Sequence, residues 1–217
     1  FAVTPKPYYG ADGSKAFAID GQPRTLPLAL EREFGPFPFP SFWGPRAGLP
    51  STEWISRASA RLLADEKPDL LLVYLPHLDY QPQRTGPSGC DMAAQVAELD
   101  RACAPLMDAI DSTGAAAWVV GEYGHVDARH PVFINQALRR QGWLEVRDGP
   151  FGETLDTFGS RAFAVCDHQA AHVRVRDPEL VSEVAGFLSG LEGVAEVLSG
   201  AGRAKVGLDH PRSGEVV

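Results

Sequence analysis

The sequence predicts an α/β fold with a mostly parallel sheet and helices on both of its faces. Two short, continuous apolar runs, DLLLVYL at residues 69–75 and AAAWVVG at residues 115–121, are typical of strands buried on both faces. Segments with helical periodicity lie before, between and after these runs. Strand and helix therefore alternate along the chain, and this alternation predicts a largely parallel sheet.

The first fifty residues are predicted to be an irregular segment that packs on the core. They are rich in proline, glycine and aromatic residues, and only PLALEREFG, residues 27–35, is expected to form a short helix. Residues 51–217 are predicted to form the α/β domain. Its first helix runs through residues 52–66, with Ser51 as the N-cap, because apolar residues recur there on one helical face.

The most regular helix begins near Met92, carries apolar residues at spacings of three and four up to Ile110, and ends at Gly114. Another helix is predicted to start at Pro131 and to end before Gly142. The remaining elements follow from short apolar runs and one capped helix: strands at residues 143–146, 161–166, 172–175 and 194–198, and a helix at residues 179–191 that Asp177 caps.

Composition excludes several classes of function. The chain has 217 residues and a formal net charge of -8, and its lysines and arginines form no cluster, so neither nucleic acid nor an anionic membrane is an expected partner. No stretch has the roughly 18 to 20 apolar residues that a membrane span needs. Three cysteines without a Cys-x-x-Cys pair predict no disulfide framework and no thiolate zinc site. A cytoplasmic location is the resulting prediction.

Ionisable side chains follow three of the predicted strands, in PHLDYQPQ, GEYGH and CDHQAAH. Loops that follow parallel strands converge at one edge of the sheet, so these segments are expected to face one crevice. Carboxylates and imidazoles spread over several loops suit divalent metal ions. The predicted metal ligands are Asp79, Glu122, His168 and His77.

Each of these residues also has an ordinary structural interpretation. Asp79 lies in a segment with two prolines that predicts a loop rather than a helix, so its carboxylate is equally suited to capping a turn. His77, two residues earlier in this extended stretch, is expected on the same side as Asp79 or bonded to a backbone carbonyl. His168 and His172 would share a face only on a helix. His125 is predicted to be solvated.

The two strand-end motifs resemble those of the alkaline phosphatase superfamily, in its type I phosphodiesterase/nucleotide pyrophosphatase branch. In that branch one strand leads into Asp-x-x-x-His followed by Gly-Pro, and a later strand leads into Ser-Asp-His-Gly. LVYLPHLDYQPQRTGP has Asp79 at the aspartate, Gln83 in place of the histidine, and the Gly86-Pro87 pair. VVGEYGH has Glu122 for the aspartate and Tyr123 for the histidine.

The resemblance implies an alkaline-phosphatase-like fold and two-metal phosphoryl transfer on a small phosphate ester or nucleotide. Zinc is the metal that the family implies, and Asp79 and Glu122 would bind different ions. The resemblance also places the threonine or serine nucleophile before this chain and another metal-binding histidine after it. These 217 residues are therefore expected to be an incomplete part of a larger domain and to be inactive alone.

Gln83 and Tyr123 replace the family's histidines and weaken the expected zinc site, because an amide is a poor ligand and a phenol binds strongly only when deprotonated. Two alternatives follow. The site binds a harder ion such as Mn²⁺ or Mg²⁺, or the fold is retained as a non-catalytic ligand-binding or interaction module. A hydrolase of the same superfamily that acts on carbohydrates or phosphonates also fits the motifs.

Overall fold

The computed structural model describes residues 1–10, 14–150 and 152–217. The chain divides into an N-terminal unit, residues 1–127, and a C-terminal unit, residues 128–217. Each unit has a hydrophobic core of its own. The expected domain boundary after residue 50 stays a prediction.

The N-terminal unit begins with an antiparallel hairpin of β1 (Ala2–Tyr9) and β2 (Lys15–Gln22), followed by helix α1 (Thr25–Phe34). The short helix expected in this region is therefore confirmed, whereas the strands were not predicted. Pro5 and Pro7 in β1 had suggested irregular backbone. Proline is tolerated on edge strands, and both strands of a two-stranded sheet are edges.

Three further helices complete the N-terminal unit, and two of them confirm the sequence prediction. They are α2 (Leu49–Glu66), α3 (His77–Thr85) and α4 (Met92–Thr113), with short 3₁₀ turns at Phe39–Ser41 and Pro87–Gly89. The predicted N-cap, Ser51, lies inside α2, where its hydroxyl is buried and donates to the carbonyl of Ser41 at 2.8 Å. Asp91 caps α4, and Gly114 ends it with a left-handed φ of 71°.

Helix α3 corrects the prediction that the segment around Asp79 is a loop. Pro76 immediately precedes the helix, where proline is tolerated, and Pro82 lies inside it and removes one backbone hydrogen bond. Side-chain bonds offset this loss, since Tyr80 donates to the carbonyl of Phe42 at 3.0 Å. Residues two apart on a helix point roughly 200° from each other. The expectation that His77 and Asp79 share one side is therefore wrong.

The predicted parallel sheet is also wrong. The described residues form three two-stranded sheets, β1 with β2, β3 with β4 and β5 with β6, and all three pairs are antiparallel. Residues 69–75 and 115–121 belong to none of these strands and to no helix. Leu71 packs on the helical core of α2 and α4, whereas Leu72 is 85% exposed. An apolar run favours extended backbone, but it does not specify a pairing partner.

Aromatic packing in the N-terminal unit shapes the loop of residues 35–48, called here the aromatic loop. Trp54 of α2 meets the ring of Phe37 edge-on at 5.2 Å, and its indole nitrogen donates to the carbonyl of Gly35 at 3.0 Å. Leu30, which is fully buried, belongs to the same core. This core holds the loop whose carbonyl groups anchor α3.

In the C-terminal unit the described residues form three α-helices and two antiparallel strand pairs. Its elements are α5 (Ile134–Arg140), β3 (Glu145–Gly149), β4 (Gly152–Asp156), β5 (Ala162–Asp167), β6 (Ala170–Val175), a 3₁₀ turn at Pro178–Leu180, α6 (Val181–Ser189) and α7 (Ala201–Lys205). Val216 is buried and bridges both Val173 and Ser199. The strand predicted at residues 194–198 is absent, and only the bridge at Ser199 adjoins it.

Across the described ranges, no helix has the length and apolar character that a bilayer span requires. The predicted cytoplasmic location remains a prediction.

Candidate functional site

The carboxylate of Asp79 lies at the centre of a polar cluster in the N-terminal unit. Its Oδ1 accepts a hydrogen bond from the Tyr123 hydroxyl at 2.6 Å and lies 3.1 Å from Nε2 of His125. Its Oδ2 accepts a hydrogen bond from the amide of Gln83 at 2.6 Å. Asp79, Gln83, Tyr123 and His125 are called here the Asp79 cluster.

Helix α3 places Asp79 and Gln83 one above the other, because residues four apart share a helical face. Tyr123 and His125 come from the irregular segment after Gly121, in which the chain bends at Glu122. Their rings contact each other edge-on at 5.4 Å between centroids. Helical periodicity thus pairs Asp79 with Gln83, and the irregular segment brings a phenol and an imidazole to the same carboxylate.

Another face of α3 fixes the helix to the rest of the unit. His77 is buried and its Nε2 lies 3.1 Å from a carboxylate oxygen of Glu98 on α4. The Tyr80 hydroxyl bonds to the aromatic loop, and the Arg84 guanidinium donates to the carbonyl of Ala47 at 2.5 Å. Because these contacts hold one face, the opposite face presents Asp79 to the segment that carries Tyr123.

The local electrostatics favour a positive ligand. The hydrogen bond to Asp79 is the main reason that the pKa of Tyr123 is raised well above its ordinary value. Burial raises the pKa of Tyr74, and the charges of Asp79 and Glu122 raise it further. Among the described residues, no lysine or arginine forms a hydrogen bond or ion pair with Asp79. Among the described side chains, the direct partners of this carboxylate are therefore Gln83, Tyr123 and His125.

A cavity of about 380 Å³ adjoins Asp79. Trp43 and Pro45 of the aromatic loop line it together with Tyr74, Tyr80 and Arg84. Trp43 is 51% exposed. Aromatic walls with a few convergent polar groups are characteristic of small-molecule sites.

The donor set suits a divalent ion only in part. Asp79 and His125 supply an oxygen and a nitrogen of the kinds that metal ions bind. However, the described residues contain no group of three or more histidine, cysteine, aspartate and glutamate side chains placed to hold one ion. Tyr123 acts here as a hydrogen-bond donor to Asp79 rather than as a phenolate ligand, and that bond raises the pKa of the phenol further above its ordinary alkaline value. Asp79 and His125 alone would need further oxygen ligands from water or substrate.

Of the other predicted ligands, Glu122 and His77 belong to the same unit as Asp79, and neither forms a hydrogen bond or ion pair with it in the described part of the chain. Glu122 is exposed, and its charge contributes to raising the pKa of Tyr74 and of Tyr123. His77 binds Glu98 instead of the cluster. His168 lies in the C-terminal unit, at the turn between β5 and β6, where Nδ1 is 2.6 Å from Asp167.

His125 was predicted to be solvated, and the structure places it in the cluster instead. The available signal is that a histidine directly follows the Glu-Tyr-Gly of a segment that comes after an apolar run. The motif comparison pointed to Tyr123 instead, as the residue in place of the histidine in the resembled motif.

Comparison with known proteins gives one match. A family model described as Type I phosphodiesterase / nucleotide pyrophosphatase matches residues 7–217. No curated protein and no solved structure matches the chain.

Proposed function

The chain belongs to the type I phosphodiesterase / nucleotide pyrophosphatase family, and on this basis we propose that it contributes to a metal-dependent hydrolase of phosphate esters or diesters. The resemblance drawn from the two strand-end motifs is thereby confirmed, and the family indicates a phosphodiesterase-like or nucleotide-pyrophosphatase-like hydrolase. The observation that carries the proposal is the convergence of Tyr123 and His125 on the carboxylate of Asp79.

Asp79 and His125 are the proposed ligands of one divalent ion. Structural zinc sites usually have four nitrogen or sulfur ligands from the protein, whereas Mg²⁺ is often held by one or two carboxylates with water and substrate phosphate oxygens. A site with a carboxylate, one imidazole and the amide of Gln83 therefore favours Mn²⁺ or Mg²⁺ over Zn²⁺. The ion, when bound, would stabilise negative charge on phosphoryl oxygens.

The remaining elements of the proposal come from the family's motifs. Phosphoryl transfer would use two ions, with Glu122 as a ligand of the second. His77 and His168 remain weaker proposed ligands. The nucleophilic threonine or serine is assigned to none of the 217 residues, so these residues alone are proposed to be inactive.

The chain's own side chains have distinct proposed roles in the Asp79 cluster. The Gln83 amide holds one carboxylate oxygen and so orients Asp79. The Tyr123 hydroxyl donates a hydrogen bond to the other oxygen and so holds the carboxylate from its second side. His125 must present an unprotonated nitrogen to an ion, so ion affinity is expected to increase with pH. The cavity beside Asp79 is where we place the organic part of a small phosphate ester or nucleotide.

Hydrolysis assays test the catalytic part of the proposal. The native gene product that contains these residues is incubated with bis-p-nitrophenyl phosphate and with a nucleotide ester, with and without Mn²⁺ or Zn²⁺. Metal-stimulated turnover that Asp79→Ala removes supports the proposal. Asp108→Asn, on the exposed surface of α4, changes the same charge and should leave turnover intact. Absence of turnover with both esters and both ions contradicts hydrolysis.

A non-catalytic ligand-binding module of the same fold is the second candidate. Two observations favour it: no three-residue ligand group occurs among the described side chains, and the Tyr123 hydroxyl is engaged as a hydrogen-bond donor to Asp79. Plasma emission spectroscopy of the purified protein distinguishes the two candidates. A stoichiometric divalent ion that Asp79→Ala removes argues against this second candidate.

A further inference from the structure

A second polar contact joins the two segments that form the Asp79 cluster. Asp127 follows His125 by two residues, and Ser88 follows the end of α3 by three. One oxygen of the Asp127 carboxylate accepts a hydrogen bond from the backbone nitrogen of Ser88 at 3.2 Å, and the other accepts one from the Ser88 hydroxyl. The carboxylate therefore binds both donors of a single residue.

The backbone at Gly86 is shaped to admit this carboxylate. Gly86 has a φ of 73°, which L side chains rarely adopt, and it caps α3 by donating to the carbonyl of Pro82 at 2.9 Å. A Cβ atom at Gly86 would lie 2.3 Å from Oδ1 of Asp127. The glycine thus permits both the turn and the close approach of Asp127.

The segment that bears Tyr123 and His125 has few other attachments. No backbone-to-backbone hydrogen bond joins residues 116–127 to another residue in the described ranges. Its side-chain hydrogen bonds come from Tyr123, His125 and Asp127. Because the first two end on Asp79 itself, Asp127 is the attachment that does not depend on the cluster.

We propose that Asp127 is a positioning residue, which clamps its segment to the turn at residues 86–88 and thereby sets Tyr123 and His125 against Asp79. By holding His125 beside Asp79, Asp127 would also increase the affinity for an ion bound there, and this consequence rests on the proposed function. The effect of Asp127 on the contact between Tyr123 and Asp79 does not depend on that function. Groups that hold metal ligands in place typically change affinity by about tenfold or more when removed.

Two readouts on the full chain test the clamp. The first, without metal, is the nuclear Overhauser effect between the Tyr123 ring and the Cβ protons of Asp79. The second is Mn²⁺ affinity measured by electron paramagnetic resonance. Asp127→Ala should weaken the first signal and lower Mn²⁺ affinity by about tenfold. Asp108→Asn should change neither, since its exposed carboxylate makes no hydrogen bond to another described residue.

Two further variants separate positioning from general destabilisation. Asp127→Asn keeps one acceptor for the Ser88 backbone nitrogen and should give an intermediate effect on both readouts. Gly86→Ala would place a methyl group against the Asp127 carboxylate and displace it from Ser88, so this variant should also weaken the Tyr123 signal. Far-UV circular dichroism and core methyl resonances confirm that each variant is folded.

Retention of the full Tyr123 signal in folded Asp127→Ala would overturn the proposal. Loss of that signal with unchanged Mn²⁺ affinity would also overturn it, because Asp127 would then order the segment without positioning the site. If the unsubstituted chain binds no Mn²⁺, the proposed function fails, and the Tyr123 signal alone decides whether Asp127 positions its segment.

Discussion

Tyr123 and Asp79 lie 44 residues apart in sequence, and a hydrogen bond of 2.6 Å joins the phenol of one to the carboxylate of the other. The pair connects the two segments whose motifs resemble those of the family, LVYLPHLDYQPQRTGP and VVGEYGH. It also raises the pKa of the phenol, because a proton shared with a carboxylate is harder to remove.

The first prediction concerns the ionisation of Tyr123. Its pKa is raised by the hydrogen bond to Asp79, with smaller contributions from burial and from other charges, of which Glu122 is the least. Asp79→Ala should therefore lower the pKa of Tyr123, and tyrosinate absorbance at alkaline pH should appear earlier in the titration. Tyr123→Phe identifies the signal. Glu122→Ala is the matched control and should have a smaller effect, and equal shifts in both variants would contradict the assignment.

The second prediction concerns the core that supports the aromatic loop. Leu30 is fully buried in α1, whereas Leu28 on the same helix is 56% exposed. Leu30→Ala should lower the free energy of unfolding by about 2–5 kcal/mol, because it leaves a cavity in the aromatic core. Leu28→Ala should change it by less than about 0.5 kcal/mol. Urea denaturation measures both, and equal losses would contradict the described packing.

The third prediction concerns acid stability of the C-terminal unit. Asp156 accepts hydrogen bonds from the backbone nitrogens of Gly159 and Phe158, at 2.9 Å and 3.0 Å, and these bonds lower its pKa in the folded state. A carboxylate with a lowered folded pKa stabilises the protein above its unfolded pKa. That stabilisation is lost as pH falls through the folded pKa.

Thermal melts between neutral and acidic pH check this sign. Asp156→Asn should remove part of the loss of Tm that the unsubstituted protein shows on acidification. Asp148→Asn, at an exposed position on β3, is the matched control. If Asp156→Asn leaves the acid-induced loss of Tm unchanged, the hydrogen bonds from Gly159 and Phe158 to Asp156 do not contribute to the pH dependence of stability.

Helices were predictable from the sequence because their signals are local. The apolar spacing between Met92 and Ile110 and the glycine at position 114 define α4 without reference to any other segment. Sheet pairing was not predictable in the same way. Residues 69–75 have the composition of a buried strand, yet Leu71 packs on helices while no strand partner lies beside it among the described residues.

The candidate site was predictable in part. Asp79 and Tyr123 lie on segments that resemble the family's motifs, so the sequence singles them out as candidates, and the structure adds that they touch. Helix α3 was missed because Pro82 argues against a helix, whereas tertiary bonds from Tyr80 and Arg84 hold it. Such bonds link segments far apart in sequence, and no local pattern records them.

The fourth prediction concerns divalent ions and tests the central claim, that the Asp79 cluster is a cation site. Isothermal titration of Mn²⁺ into the chain should detect binding that Asp79→Ala abolishes and that His125→Ala weakens by about tenfold or more. Asp108→Asn should bind as the unsubstituted chain does. Mn²⁺ affinity that is unchanged in Asp79→Ala, or absent in the unsubstituted chain, would contradict the claim.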